Sequence, residues 1–88
     1  MTREEITAEV VRIFWERFEI KDPEPDENLR DRYEFDSIDA IDLLREIEIL
    51  LNSQLAREEK KMAMEIRTVS QIIDYIESMA KIRTEAPN

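Results

Sequence analysis

Three times the chain sets two capping side chains three positions apart, directly ahead of an apolar run with helical spacing: Thr2 with Glu5, Asp36 with Asp39, and Thr68 with Gln71. In such a pair the first side chain accepts from a backbone N–H one turn on, and the second reaches back to the N–H of the first. Each pair satisfies donors that a helix start would otherwise leave bare, so each marks a helix start. Behind Thr2, the spacing of Ile6, Val10, Ile13, Phe14 and Phe18 predicts a helix over about residues 3–18. Behind Asp36, Ala40, Ile41, Leu43, Leu44, Ile47, Leu50 and Leu51 gather on one broad side at about 100° per residue, while Asp39, Asp42, Arg45 and Glu46 gather on the other. This second helix is expected from Ser37 to about Leu51, with Asn52 as a left-handed stop. Behind Thr68, Val69, Ile72, Ile73, Ile76, Met79 and Ala80 predict an amphipathic helix to about residue 81.

The stretches between are less regular. Residues 19–36 carry Pro23, Pro25 and many acids and read as a long loop, anchored to the core by Ile20, Leu29, Tyr33 and Phe35. Its alternating Asp22, Glu24, Asp26 and Asn28 imitate the first ligands of a calcium loop. The pattern then fails, because the sixth position is Glu27 rather than glycine and the twelfth is Tyr33 rather than glutamate, so no metal site is assigned. Leu55 anchors the next connection, Glu58–Met64 forms a short third helix, and Met62 and Met64 are expected to fill space around it as adaptable packing residues. Trp15 is expected to lie half-buried on the shoulder of the first helix, and residues 82–88 to form a flexible tail after a core spanning about residues 3–81. The expected fold is one all-α domain over 1–88, a small bundle of three main helices plus one short helix.

At 88 residues there is no room for a second domain or a catalytic domain with a deep pocket. The formal net charge of -9 disfavours nucleic acid and anionic membrane and favours basic protein surfaces as partners. No apolar run approaches membrane-spanning length and no signal-peptide core opens the chain, so a cytoplasmic protein is expected. With neither cysteine nor histidine, the chain has no thiolate zinc site, imidazole base or cysteine nucleophile. No catalytic residue is assigned, and an enzyme is not expected.

One side chain is nevertheless placed for chemistry. Ser37 follows the capping Asp36 and so falls on the first turn of the second helix, where unpartnered amides and the positive end of the helix dipole tolerate a phosphate. It lacks a neighbouring base, which makes it a substrate for another enzyme rather than a nucleophile. The segment Asp36-Ser37-Ile38-Asp39, followed by Ile41, Leu43, Leu44, Ile47 and Glu48, resembles the Asp-Ser-Leu-Asp signature of acyl carrier proteins. The resemblance covers roughly residues 3–80 in apolar spacing, length and acidity.

That resemblance implies a 4'-phosphopantetheine arm on Ser37, attached by a phosphopantetheinyl transferase, with Asp36, Ile38 and Asp39 completing the attachment motif. It implies a monomer that carries acyl groups to synthases or acyl-transferring enzymes with basic docking surfaces, in fatty-acid, polyketide or related biosynthesis. Asp42, Glu46 and Glu48 match the family's acidic recognition positions, and Asp39 is expected to take part in partner binding with them. The chain departs from the family in three places. Tyr33-Glu34-Phe35 stands where Leu-Gly-x is usual, Arg45 where an apolar residue is common, and Ile49 where an acidic run continues. Arg45 and Ile49, in a stripe with Ile38 and Asp42, retune partner choice, unless Ile49 is covered by the segment around Met62 and Met64. Two other readings fit the same residues: a carrier-fold interaction module that is never modified, and a structural subunit of a larger complex.

Overall fold

The computed structural model describes residues 1–85 and holds five helices: α1 (Arg3–Phe18), α2 (Leu29–Tyr33), α3 (Ser37–Leu51), α4 (Arg57–Ala63) and α5 (Val69–Glu85). All three capping pairs close. Thr2 and Glu5 exchange hydrogen bonds of 3.1 and 2.8 Å, Asp36 and Asp39 of 2.9 and 3.1 Å, and Thr68 and Gln71 of 3.2 and 3.1 Å. The helices they open are the three long ones.

The core is a single cluster. Ile6, Val10, Ile13 and Phe14 of α1 meet Val69, Ile72, Ile73, Tyr75, Ile76 and Met79 of α5, and α3 closes it with Leu43 and Ile47. Leu29 and Leu55 plug it from the connections, as their apolar side chains in polar stretches lead one to expect. Phe35 stacks on Phe14 at a ring distance of 5.6 Å and meets Phe18 edge-on at 5.1 Å. Offset and edge-on aromatic pairs are favourable beyond the area they bury. The residue just ahead of the Asp36 cap is thereby fixed to the C-terminal half of α1.

The structure corrects several expectations. The loop over 19–36 contains the short helix α2, opened by the Asn28 side chain accepting from the Asp31 N–H at 3.0 Å. Three ties hold the loop to α5 and the turn before it, one of them the Ser70 N–H donating to the Pro25 carbonyl at 3.0 Å. The Ser70 hydroxyl donates to Asp26 at 3.0 Å, and the Leu29 N–H donates to the Arg67 carbonyl at 2.9 Å. Trp15 is exposed rather than half-buried, because it is turned about 150° around α1 from the buried stripe. Ile41 is exposed too, at the edge of the apolar side of α3. Met62 and Met64 are exposed, so α4 packs through Ala63 rather than through methionine.

The expected tail is helical as far as Glu85, with residues 86–88 outside the described part. Arg83 there is the hub of a polar latch. Its guanidinium donates to both oxygens of Glu59, at 2.9 and 3.1 Å, to the Gln54 carbonyl at 2.8 Å and to the Ser53 hydroxyl at 2.9 Å. The Tyr75 hydroxyl donates to the Glu59 carbonyl at 2.7 Å, and burial, then the nearby Glu59 charge, pushes that phenol up to about 12. Since α4 buries no residue fully, these polar bonds add to the packing of Ala63 in holding it to the bundle.

The Arg83 hydrogen bond, then the Ala56 N–H, hold the Glu59 carboxyl below its ordinary value of 4.5. A carboxyl depressed in the folded state stabilises the fold fully above its unfolded pKa and loses that contribution as pH falls through the folded value. Arg83→Ala should therefore cost about 1.5–3 kcal/mol at neutral pH by urea unfolding. The gap between wild type and variant should narrow as pH drops below about 4.5. A gap of constant size would assign the latch to the carbonyl bonds of Arg83 alone.

Candidate functional site

The site is assembled where α2 hands the chain to α3. Glu34 closes α2 in the left-handed conformation, φ 56° and ψ 31°, with its N–H donating to the carbonyls of Arg30 and Leu29. A side chain in that conformation costs roughly 1 kcal/mol, which is the cost of having Glu34 where glycine is usual. The turn it makes aims Phe35 into the core and Asp36 toward the start of α3. Asp36 then adopts extended backbone, φ -101° and ψ -175°, and caps the helix. Hydrogen bonding from the Asp39 N–H, then from the Ile38 N–H, with a smaller part from the Arg30 charge, holds its carboxyl below the ordinary range.

Ser37 is the first residue of α3 and is exposed. No hydrogen bond within the described residues occupies its hydroxyl. It stands on the rim of a cavity of about 230 Å³ whose walls are Leu43, Leu44 and Ile47 of α3, Leu29 and Phe35, and Ala63, Met64 and Ile66 at the end of α4. The interior is apolar and the polar side chains are Arg30, Asp36, Ser37 and Arg67. A linear apolar group fixed at Ser37 can lie in it, while a charged one meets uncompensated desolvation.

The other expected residues lie on α3. Ile38, Asp42, Arg45 and Ile49 form a stripe about 150° around the helix from Leu43 and Ile47. Ile49 is 72% exposed and Ile38 69%, so nothing around Met62 and Met64 covers Ile49. Asp39 and Glu46 flank the stripe, both part-exposed. Glu48 is different. Its carboxylate accepts from the Leu55 N–H at 2.8 Å and holds the α3–α4 connection rather than standing free on the face. The cavity, and with it Arg30, Met64, Ile66 and Arg67, is absent from the expectations. The one available signal was Asn28 followed by Asp31, which marks the helix that brings Arg30 to the rim.

A family model described as the phosphopantetheine attachment site matches residues 8–76, which include α2, α3 and α4 whole. The chain is also 32% identical over 78 residues to an acyl carrier protein of Rubrobacter xylanophilus, covering 86% of this chain and 93% of that one. The chain belongs to the acyl carrier protein family. No solved structure matches it significantly. As a carrier domain it takes 4'-phosphopantetheine as its prosthetic group. The residues here fit that group: an exposed, unengaged hydroxyl at a capped helix start, with an apolar cavity alongside for what the arm bears. Among the described residues no helix is long and apolar enough to cross a membrane.

Because the carrier's helix start depends on reciprocal capping, Asp36→Ala should lower the thermal midpoint and speed amide exchange at Ile38 and Asp39, while Asp36→Ser should restore most of both. Exchange that is unchanged in the alanine variant would show that Phe35 packing alone fixes the start of α3.

Proposed function

We propose that Ser37 is the attachment point of the arm, and that the protein carries acyl groups on it and presents them to partner enzymes of fatty-acid, polyketide or related specialised biosynthesis. What supports this most is one placement, the free Ser37 hydroxyl at the first turn of a capped helix on the rim of an apolar cavity. The arm supplies the chemistry, a terminal thiol that holds the acyl group as a thioester, in a chain with no thiol of its own. The protein's own residues do three other things. The capped start of α3 presents Ser37 to a phosphopantetheinyl transferase. Leu43, Leu44, Ile47 and Ala63 offer apolar shelter to the cargo. The outward stripe of α3 meets the partner.

That stripe favours a dedicated partner. Asp39, Asp42 and Glu46 suit basic docking surfaces, but Arg45 repels them at the centre and calls for an acid across the interface. Ile38 and Ile49, both well exposed at either end of the stripe, call for apolar contact there. Attraction and exclusion are both shifted from a uniformly acidic helix, which is how partner sets are kept apart.

Two experiments test this. Co-expression with a competent transferase should add one phosphopantetheine mass to wild type and none to Ser37→Ala, whose circular dichroism and midpoint should stay near wild type, since an exposed hydroxyl carries little packing energy. Wild type that never gains the mass would leave an unmodified interaction module with the carrier fold. For partner choice, acyl transfer by housekeeping fatty-acid enzymes should be faster to the holo Arg45→Met, Ile49→Glu double variant than to holo wild type. Equal transfer to both, at a rate typical of a good substrate, would remove the case for a dedicated partner.

A further inference from the structure

Four polar side chains reach the cavity beside Ser37, and three of them are committed. Asp36 caps α3. Arg67 is spent on the backbone around it, its guanidinium donating to the carbonyls of Met64 at 2.8 Å and Ile66 at 3.0 Å. Ser37 is the attachment point by the reading above. Arg30 has no such employment: no ion pair or side-chain hydrogen bond engages it among the described residues. Its neighbour Arg32 lies over the Tyr33 ring at 5.6 Å, so the two arginines of α2 differ in what they do.

The position of Arg30 is nonetheless tightly built. Asn28 caps α2, Leu29 is buried, and the Arg30 carbonyl accepts from the Glu34 N–H at 3.0 Å, so its backbone is held in place within α2. Its charge is close enough to Asp36 to help hold that carboxyl ionised. A phosphodiester on Ser37 adds an anion next to Asp36 and Asp39 in a chain of net charge -9. Asp36 already takes the Asp39 N–H, which leaves fewer α3 amides for a phosphate. The cation available at that rim is Arg30, and a guanidinium matches phosphate oxygens two at a time.

We propose that Arg30 is a positioning residue for the prosthetic group, its guanidinium holding the phosphodiester that joins the arm to Ser37 and setting the direction in which the arm enters the cavity. This rests on Ser37 as the attachment point. It gives α2 a purpose beyond filling a long connection, since a coil over residues 29–33 would leave Arg30 without a fixed direction.

The test compares apo and holo forms of wild type, Arg30→Gln and Arg30→Lys, with intact mass confirming loading. In wild type, the Arg30 Nε–H resonance should move on loading. The single phosphorus resonance of holo protein should differ between wild type and Arg30→Gln. The holo-minus-apo difference in thermal midpoint should be lower in Arg30→Gln by about 3 °C, and Arg30→Lys should recover part of it. A merely structural role for Arg30 would shift apo and holo midpoints equally and leave the phosphorus resonance in place. That result, with both proteins fully loaded, overturns the proposal while leaving the carrier reading intact. Wild type that accepts no arm overturns both.

Discussion

The two hydrogen bonds exchanged by Asp36 and Asp39 carry more of this molecule than their energy implies. A small helical domain with no cysteine to form a disulfide has one core and few ways to fix where each helix begins. Here the start of α3 is set by that exchange and by Phe35, whose ring is held between Phe14 and Phe18 immediately before it. Shift the start by one residue and Leu43 and Ile47 rotate about 100° out of the core, while Ser37 leaves the cavity rim. Fold and site therefore depend on the same few atoms.

Ending the helices posed a separate problem, because the chain has no glycine. Glu19, Glu34 and Asn52 close α1, α2 and α3 in the left-handed conformation, and Asp22 adopts a positive φ in the loop. Each of the three closing residues directs its N–H to carbonyls one turn back, which satisfies acceptors that a helix end leaves open. Roughly 1 kcal/mol of strain at each such residue is offset by those bonds and by the packing the turns permit. At Glu34 the turn has a further consequence, since it seats Phe35 and Asp36 together.

The long helices were legible because capping and apolar spacing agree, two signals from independent physics pointing at the same start. The rest was less legible for identifiable reasons. α2 is too short for periodicity to register, and its cap, Asn28 with Asp31, lay among acids and prolines that resemble coil. The extension of α5 to Glu85 depends on Arg83 finding Glu59, a contact between residues 24 apart that no local pattern encodes. Trp15, Met62 and Met64 were assigned to packing by residue type, but neighbours filled the core first: Phe14 and Ile13 took the α1 positions, and Leu55 and Ile66 the space beside α4. The cavity was invisible for a related reason, being the gap left between four helices and a property of none.

Within α3 the division of surface is sharper than amphipathicity alone requires. Leu43 and Ile47 face the core and cavity, the stripe from Ile38 to Ile49 faces outward about 150° away, and Ser37 lies between the two. Contact on the stripe cannot reach into the cavity without passing the helix start, since the body of α3 separates them. A partner that must draw cargo out is thus best placed to act at the Ser37 end, where the cap, the α2 turn and Arg30 converge. The opposite end of α3 is tied down by Glu48 to Leu55 and, through Ser53 and Gln54, to Arg83. One end of the helix is held by Glu48 and the Arg83 latch, and the other by the Asp36–Asp39 cap together with Phe35 between Phe14 and Phe18. The Ser37 end is thus tied to the α1 core through Phe35, and the far end to α5 through Arg83, so both ends of α3 are anchored to the pair of helices that carries the core.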